Sequence, residues 1–373
     1  MKLNKKLWAG AAALAASALL LTACSSGGGT EDTATGGGDT GSANNADVPS
    51  WCGPEEASVT FLDGYIVNGW RMIAAETGRI EAELCPSVTS FEIIDGQGDT
   101  QKAISDINGA VATGSDAIVV HTASGEAILP ALRQAYEAGV VTVPYRDGVG
   151  GEEGQDYDIW IGADYVEDGR TFGNWIQEQF PDGAKVLFLS GPAGTTQGLD
   201  EKAGLDEVLS DPKYEFIGEQ PFEITEWDPS KTQQVLTAAI AKHPEIDVVV
   251  SDYGPSLVGA LPEFEKSGRS IPALAASDGN VLGCFWEDHQ ETSPDFKMMT
   301  IKTGTDNIAL AMQHAIARAT GGEIPAETAF VGGVFEDSTS SDKPVQCNRD
   351  LPDDTYLSSA ALTGEEQAAI IAG

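Results

Sequence analysis

Basic side chains are scarce in this 373-residue chain, with 21 Lys and Arg against 58 Asp and Glu and a formal net charge of −37 at pH 7. No stretch of the sequence gathers the basic residues into a patch. A surface of this sign repels the phosphates of nucleic acid and the head groups of anionic lipids. The charge therefore excludes nucleic acid as a partner and favours a soluble, exposed folded body, while it says nothing about the fold.

Motifs for metal and enzyme chemistry are also missing. Four histidines and five cysteines occur, but no Cys-x-x-Cys or His-x-x-x-His spacing predicts a zinc site. The sequence has no Gly-x-Ser-x-Gly elbow, phosphate-binding loop or His-Glu-x-x-His helix, and GQGDTQ lacks the glycine spacing of a dinucleotide site. Nothing matches the helix-turn-helix head and basic surface of a transcriptional regulator. We therefore expect a protein without catalytic activity, cofactor or metal.

A long hydrophobic run occurs only at the start of the chain. Residues 7–23 are largely apolar and follow three lysines within residues 2–6. A basic start, a short apolar core and small residues are typical of a secretory signal peptide, which we assign to residues 1–23. The run is marginal as a permanent spanning helix, which needs ~20 apolar residues. Removing this segment leaves 18 basic against 58 acidic side chains, a formal charge of −40.

The apolar run ends at a lone cysteine, Cys24, which serine and glycine follow at once. The sequence LTAC at residues 21–24 resembles a bacterial lipobox, and this resemblance implies cleavage before Cys24 and acylation of its thiol, for example by palmitate. An ordinary signal with a chance cysteine is the alternative. Residues 24–50 contain almost no large apolar side chains, so we expect a flexible Gly/Ser-rich tether. The predicted location is extracytoplasmic, at the cell membrane through lipid on Cys24.

Only four cysteines remain after Cys24, namely Cys52, Cys85, Cys284 and Cys347. An even number in an exported protein indicates disulfides, for which three pairings are possible. We favour Cys52 with Cys85, because each precedes a predicted strand and neighbouring parallel strands begin at the same edge of a sheet. Cys284 and Cys347 would then form the second disulfide, and buried free thiols are the alternative.

From residue 51 onward, short apolar runs alternate with amphipathic stretches. Runs such as DAIVVHT are apolar almost throughout, which is typical of parallel strands that crossover helices bury on both faces. The pattern stops at the glycine-rich strip GVGGEEGQDYD, residues 148–158, and then starts again. The region is too long for one ordinary core. We therefore predict an α/β fold of two doubly wound parallel-sheet lobes, joined by a hinge at this strip, with a ligand cleft between them.

Five ordered stretches within residues 58–322 carry a family resemblance. They are DGQGDTQKAISDINGAVATGSDAIVV, AYEAGVVTVPYRD, KVLFLSGPAGTTQGLDEKAGLDEVL, AKHPEIDVVVSDYG and ALAASDG. Together they resemble the type 1 periplasmic sugar-binding proteins, the ribose- and galactose-binding group that feeds ABC transporters. The resemblance implies the type 1 periplasmic binding protein fold. It places the first lobe at residues 51–152 and 303–330, the second lobe at 153–302, and a C-terminal segment that braces the hinge at 331–373.

Polar and aromatic residues near strand ends match positions at which this family contacts its ligand. The resemblance assigns ligand binding to Asn68, Trp70, Tyr145, Arg146, Asp147, Trp227, Asp252 and Asp278. Further candidates are Asp63, His121 and Lys302, the last of which falls near a position at which the family usually has glutamine. A purely structural role is the alternative for Asp63, His121 and Asp278. The arginine that the family has at the start of a second-lobe helix has no counterpart, since Leu199 falls nearest.

These residue types suit a sugar. Indole faces pack on the polarised C–H bonds of a sugar ring, so Trp70 and Trp227 are expected to hold it from two sides. Arg146 offers a planar set of donors, and Asp252 and Asp278 accept from hydroxyls, at about 1.5–3 kcal/mol for each charged hydrogen bond. We expect a monomer that closes on a monosaccharide or polyol and delivers it to the permease of an ABC importer. A nucleoside or a signalling molecule is the alternative ligand.

Overall fold

The structure is a computed structural model that describes residues 48–66, 68–122 and 124–373. The predicted signal peptide, Cys24 and all but the last three residues of the predicted tether lie outside the described residues. Across the described ranges, no helix has both the length and the apolar character needed to cross a bilayer.

Strands and helices alternate along the described chain and are numbered in chain order. The strands are β1 (Ala57–Asp63), β2 (Val88–Asp95), β3 (Ala117–His121), β4 (Val141–Arg146), β5 (Ile161–Ala163), β6 (Ala184–Ser190), β7 (Tyr214–Ile217), β8 (Glu223–Ile224), β9 (Val248–Ser251), β10 (Ala273–Ser277), β11 (Met298–Ile301), β12 (Ala329–Phe330) and β13 (Val334–Asp337). The helices are α1 (Gly69–Glu83), α2 (Thr100–Thr113), α3 (Leu129–Glu137), α4 (Tyr165–Gln179), α5 (Thr196–Val208), α6 (Pro229–Lys242), α7 (Pro262–Lys266), α8 (Asn280–His289), α9 (Ile308–Thr320) and α10 (Gly364–Ala372).

The first sheet is parallel throughout, with the strand order β12-β5-β4-β3-β1-β2. Strand β3 is buried along its whole length, as expected of a strand that is covered on both faces. One core cluster joins the sheet to α1 and α9 through Ala74 and Met312, and a second joins it to α2 and α3 through Ile107 and Leu132. Helices on both faces make this lobe doubly wound.

The second sheet has the order β13-β11-β10-β9-β6-β7, with β8 beside β6. Its strand pairs are parallel except that β13 runs antiparallel to β11. Phe172 of α4 and Leu205 of α5 belong to one core cluster, whereas α6, α7 and α8 supply Leu236, Phe264 and Leu282 to another. The predicted α/β fold with two doubly wound parallel-sheet lobes is confirmed.

Within the described residues the chain passes between the lobes at four places: between β5 and α4, between β11 and α9, between β12 and β13, and between β13 and α10. The sequence predicts instead a connection at residues 148–158 and places β5 in the second lobe. The structure pairs β5 with β4, with Tyr145 opposite Ile161. Tyr157 of the glycine-rich strip packs in the first-lobe core. The strip is therefore a loop inside the first lobe, because the short apolar run after it extends the existing sheet.

Side-chain caps determine where several helices begin. Asn68, Asp99, Asp164 and Asp228 each accept a hydrogen bond from a backbone N–H in the first turn of the helix that follows. Such a cap satisfies a donor that the helix leaves unpaired and stabilises by about 1 kcal/mol. Helix α2 ends at Gly114, whose φ of 88° is a conformation that glycine adopts without strain.

Both disulfides that the sequence favours are present. Cys52, before β1, is bonded to Cys85, which follows α1. Cys284 of α8 is bonded to Cys347. The Cα atoms are 5.3 Å apart in the first pair and 4.6 Å apart in the second, within the usual range for disulfides. The favoured pairing is therefore confirmed.

Residues 331–373 contact both lobes. Strand β13 belongs to the second sheet, and the backbone N–H of Asn280 in α8 donates to the carbonyl of Thr355. On the first-lobe side, Tyr356 packs on Ile73 of α1, and α10 also lies against α1. The sequence predicts a final strand here, but it predicts neither α8 nor α10. That this segment braces the hinge stays a prediction.

Candidate ligand-binding site

An open cleft lies between the two lobes and contains about 690 Å³ of empty space, including the part open to solvent. Strands β3, β4, β9, β10 and β11 direct their carboxyl ends toward it, as is usual for ligand sites in parallel sheets. These strand ends contribute His121, Arg146, Asp252, Ser277 and Lys302. The other lining residues are Asn68, Trp70, Arg71, Asp147, Asp168, Gln197, Glu201, Trp227, Tyr253, Ile301 and Thr303.

On the first-lobe side of the cleft, Asp63 and Arg71 form an ion pair. Arg71 Nη1 donates to Asp63 Oδ1 over 2.6 Å and lies 2.9 Å from His121 Nδ1. His121 Nε2 is in turn 3.4 Å from a carboxylate oxygen of Asp147. Burial raises the pKa of Asp63, but Arg71, His121 and the hydrogen bonds outweigh it and lower that pKa to about 2. The charges at the base of the cleft therefore already have partners.

Arg146 lies at the end of β4, over three aromatic rings. Its guanidinium carbon is 4.7 Å from the ring centroid of Trp70, 5.6 Å from that of Tyr165 and 5.9 Å from that of Phe330, distances at which cation–π attraction acts. Its Nη1 is buried and has no hydrogen-bond partner among the described residues. The φ of Arg146 is 66°, a left-handed conformation that costs a non-glycine residue about 1–3 kcal/mol. A strained backbone that presents an unpaired donor indicates a ligand-binding role.

On the second-lobe side, Asp252 is held by two donors. Ser190 Oγ at 2.6 Å and Trp227 Nε1 at 3.1 Å both donate to Asp252 Oδ2. The other oxygen, Oδ1, is buried and has no hydrogen-bond partner among the residues that the structure describes. The Trp227 ring lies against Gly191, where a Cβ would be 2.3 Å from the ring, so the close approach requires glycine. These contacts position the indole and leave one oxygen of Asp252 for a ligand.

Two carboxylates that are not predicted from the sequence, Asp168 and Glu201, complete the second-lobe side. Asp168 of α4 accepts a hydrogen bond from the backbone N–H of Gly332 at 3.0 Å. In α5, Gln197 Nε2 donates to Glu201 Oε1 at 3.0 Å, and Glu201 Oε2 is buried without a partner in the described structure. The residues are only 6% and 1% exposed. Carboxylates are rarely buried this deeply unless they are paired. The carboxylates on this side of the cleft can therefore accept hydrogen bonds from donors on a ligand.

Burial raises the pKa of all three carboxyl groups on the second-lobe side. It brings the pKa of Asp168 to about 6, although the N–H of Gly332 acts in the opposite direction. Burial and then the nearby charges of Asp252 and Asp168 raise the pKa of Glu201 well above its ordinary value. Burial likewise raises the pKa of Asp252 against the effect of its hydrogen bonds. These groups therefore retain protons at pH values at which exposed carboxyl groups are ionised.

Replacing Asp168 with asparagine should stabilise the free protein near pH 7 but not near pH 4. Folding raises the pKa of Asp168 from 3.8 to about 6. The wild-type protein therefore loses stability as the pH rises through this window, and asparagine, which does not titrate, removes the loss. We expect a gain of about 1–2 kcal/mol in the free energy of unfolding at neutral pH. Urea unfolding at both pH values measures it, with Glu178→Gln, an exposed change in the same helix, as the control. An equal gain at both pH values would contradict the assignment.

The structure brings eight of the predicted residues to the cleft: Asn68, Trp70, His121, Arg146, Asp147, Trp227, Asp252 and Lys302. Their contact with a ligand stays a prediction. Asn68 also caps α1 through its side-chain oxygen, which accepts from the backbone N–H of Arg71 at 3.0 Å. The guanidinium of Arg146 lies over the Trp70 ring, so a sugar ring packed between Trp70 and Trp227 would have to share Trp70 with Arg146.

Three predicted residues do not line the cleft. Tyr145 is fully buried, because alternate residues of a strand face opposite sides and its neighbour Arg146 takes the cleft side. Asp278 is 1% exposed and accepts a hydrogen bond from the backbone N–H of Thr303 at 2.7 Å. Asp63 is buried beneath Arg71. These three residues therefore lie behind the residues that line the cleft, and their contact with a ligand stays a prediction.

Other lining residues lie close to predicted ones. Tyr253 follows Asp252, Ser277 precedes Asp278, and Thr303 follows Lys302. A rule that includes both neighbours of each strand-end residue would have found them. Gln197 and Glu201 share one face of α5 at a spacing of four residues, which marks them as helix neighbours. Leu199, which falls nearest to the family's arginine position, is 43% exposed.

Comparison with known proteins agrees with this architecture. Residues 65–282, more than half of the chain, match the periplasmic binding protein domain. The chain therefore belongs to the periplasmic binding protein family. The ribose import binding protein RbsB of Escherichia coli is 23% identical over 192 residues, which are 51% of this chain and 62% of the relative. The match thus spans less than two thirds of that relative. RbsB of Bacillus subtilis is 25% identical over 244 residues, 64% of this chain and 77% of the relative.

Solved structures show the same fold. An ABC transporter solute binding protein of Mycobacterium smegmatis with bound glycerol has a TM-score of 0.65 at 19% identity, covering 79% of this chain and 98% of that one. The myo-inositol binding protein of Caulobacter has a TM-score of 0.63 at 16% identity, covering 74% and 92%. The matched family is one of binding proteins, so the expected class, a binding protein rather than an enzyme, is confirmed at the level of the family.

Proposed function

We propose that this protein is the extracytoplasmic binding protein of an ABC importer, that lipid on Cys24 anchors it to the membrane, and that it binds a monosaccharide or polyol between its lobes for delivery to a permease. The observation that carries the proposal is a set of buried polar atoms that line the cleft from both sides and have no partner in the described part of the chain: Arg146 Nη1 on the first lobe, and Glu201 Oε2 and Asp252 Oδ1 on the second. An unsatisfied buried polar group costs about 1–3 kcal/mol. A ligand with several hydroxyls removes that cost by donating and accepting at once.

The known relatives support this class of ligand. The named proteins of E. coli and B. subtilis bind ribose by name, that of Caulobacter binds myo-inositol, and that of M. smegmatis holds glycerol. These ligands are small and carry a hydroxyl on most carbons. A cleft with one cationic donor on the first lobe and carboxylate acceptors on the second is complementary to such molecules.

The four connections between the lobes can act as a hinge about which the cleft closes. A ligand that bridges Arg146 and Asp252 contacts both lobes at once and therefore stabilises the closed arrangement over the open one. We expect the radius of gyration in small-angle X-ray scattering to fall when ligand is added. A protein that binds ligand with an unchanged scattering profile would contradict closure.

A thermal-shift screen against pentoses, hexoses, inositols and nucleosides tests the ligand class, with calorimetry to confirm each hit. We expect a sugar or an inositol to raise the melting temperature, because a ligand that binds only the folded state stabilises it by mass action. The Asp252→Asn variant should bind the same hit more weakly, and Asp247→Asn, at the opposite end of strand β9, is the control. If only nucleosides raise the melting temperature, the ligand is a nucleoside and not a sugar or polyol. If the protein converts a sugar to a product, a pure binding function is contradicted.

Replacing Cys24 with serine should move the protein from the membrane fraction to the soluble fraction of cells. The lipobox resemblance makes Cys24 the acceptor of lipid, and stable anchoring needs more than one acyl chain. Metabolic labelling with a fatty acid, followed by fractionation, measures both acylation and location. A serine variant that remains labelled and membrane-bound would contradict the anchor. Light scattering of the soluble variant also tests the predicted monomer.

A further inference from the structure

We propose that the carboxylates of Asp168, Glu201 and Asp252, here called the carboxylate wall, form a subsite for a protonated amine on the ligand. The proposal rests on the proposed function, because it places that amine on the carbohydrate or polyol bound in the same cleft. It narrows the ligand class to amino sugars and amino polyols.

Close packing of two helices places the first two carboxylates side by side. Asp168 precedes Gly169 in α4, where a Cβ would lie 2.1 Å from the backbone oxygen of Glu201 in α5. In the reverse direction, a Cβ on Gly204 of α5 would lie 2.0 Å from the backbone oxygen of Val166 in α4. The helices approach this closely because both positions are glycine. Asp168 and Glu201 therefore meet at the cleft although they are far apart in the sequence.

The carboxylate wall has two oxygens that are buried and unpartnered within the described ranges, Glu201 Oε2 and Asp252 Oδ1. Both residues line the cleft and are more than nine-tenths buried. Their other oxygens are already occupied, Glu201 Oε1 by Gln197 and Asp252 Oδ2 by Ser190 and Trp227. The free oxygens therefore require donors from whatever enters the cleft.

The cations that face the cleft do not neutralise the carboxylate wall. Arg71 is paired with Asp63. The charge of Arg146 lowers the pKa of Asp168 and of Glu201, but burial raises both by more, and Glu201 is also repelled by Asp252. Lys302 is exposed, so solvent screens its charge. A deficit of positive charge therefore remains at the second-lobe side of the cleft.

A protonated amine matches this deficit in both donors and charge. An ammonium group has three donors, no acceptor and one positive charge. A hydroxyl can satisfy one oxygen but brings no positive charge, so Glu201 keeps its proton when a neutral sugar binds. When an amine binds, its charge favours the ionised form of Glu201, so the Glu201 carboxyl group releases its proton to solvent and pairs with the ammonium. Binding of an amine therefore releases a proton, and binding of the corresponding neutral sugar does not.

Calorimetric titration of the wild-type protein with matched ligands tests the proposal. D-Galactose, D-galactosamine and N-acetyl-D-galactosamine share a ring and differ in one substituent, which is a hydroxyl, an amine or an acetamide. Glucose and mannose, each with its amine and its acetamide, provide two more such sets. For a ring that fits, we expect the amine to bind at least about tenfold more tightly than the hydroxyl or the uncharged acetamide. Titrations in buffers of different ionisation enthalpy should show proton release with the amine alone.

The variant Glu201→Gln should abolish both the preference for the amine and the proton release. Glu207→Gln makes the same change at an exposed position of α5 and should retain both. The wild-type titrations decide the matter even where Glu201→Gln does not fold. Neutral sugars that bind as tightly as their amines, without a difference in proton release, would overturn this proposal and leave the proposed function intact. No binding by any of the three amines would also overturn this proposal, and the proposed function is then decided separately by the screen against pentoses, hexoses, inositols and nucleosides.

Discussion

Replacing Arg146 with lysine should weaken ligand binding on the order of a hundredfold, or about 3 kcal/mol, as calorimetry with the best ligand of the screen would measure. Lysine keeps the positive charge but loses the planar set of donors and the stacking on Trp70 and Tyr165. The Nη1 atom of Arg146 is buried and has no partner among the described residues, so the free protein does not depend on the hydrogen bond that the ligand gains. We therefore expect the free energy of unfolding to change by less than about 1 kcal/mol.

Arg170→Lys provides the control for the Arg146 variant. Arg170 lies on α4, where it pairs with Glu167 and Glu207 at the surface. Surface ion pairs contribute little to the free energy of unfolding. The Arg170→Lys variant should therefore bind ligand as the wild type does. If Arg146→Lys binds within about threefold of the wild type, which is less than 1 kcal/mol, Arg146 does not contact the ligand. A large loss of stability in the same variant would instead assign Arg146 a structural role.

The strands and the class of fold were predictable from the sequence, because burial on both faces leaves a physical signature in the composition. All five residues of β3 are buried, and the corresponding run of the sequence is almost uniformly apolar. Glycine at position 114 is a local signal for the end of a helix, since the left-handed conformation there favours it. The buried strand and the helix end depend on residues that are close together in the sequence, so both can be predicted from short stretches of it.

The connections between the lobes were not predictable, because they depend on which sheet a strand joins. Strand β5 has three residues, and nothing in their composition distinguishes a last strand of one sheet from a first strand of another. Helix α8 begins without a side-chain cap and gave no start signal. Helix α10, by contrast, begins with a capping box of Thr363 and Glu366, a start signal that can be read from the sequence.

The residues of the candidate site likewise include some that the sequence predicts and some that it does not. Arg146, Asp252 and Lys302 follow from the rule that parallel strands end at a common edge. Asp168 and Glu201 do not, because acidic residues near the start of a helix are ordinary at exposed positions and are favoured by the helix dipole. Their burial results from the contact of α4 with α5, which two glycines at distant positions in the sequence make possible.

Replacing Gly169 with alanine should lower the free energy of unfolding by about 3 kcal/mol, as urea unfolding followed by circular dichroism would measure. The added Cβ would lie 2.1 Å from the backbone oxygen of Glu201, and a backbone atom cannot rotate away as a flexible side chain does. Helix α4 must therefore move away from α5. Gly109→Ala in α2 is the matched control, since nothing lies within 4 Å of its Cβ, and it should stabilise by about 0.5–1 kcal/mol.

The same substitution should also weaken ligand binding, because the contact that it separates is the one that places Asp168 beside Glu201. A loss of affinity that arises only from partial unfolding disappears when the temperature is lowered until the variant is fully folded, whereas displaced carboxylates remain displaced. We therefore expect Gly169→Ala to bind more weakly than Gly109→Ala even at a low temperature at which both are folded. Equal affinities there would show that the ligand does not reach the second-lobe carboxylates, and equal stabilities would show that α4 and α5 are not packed through these glycines.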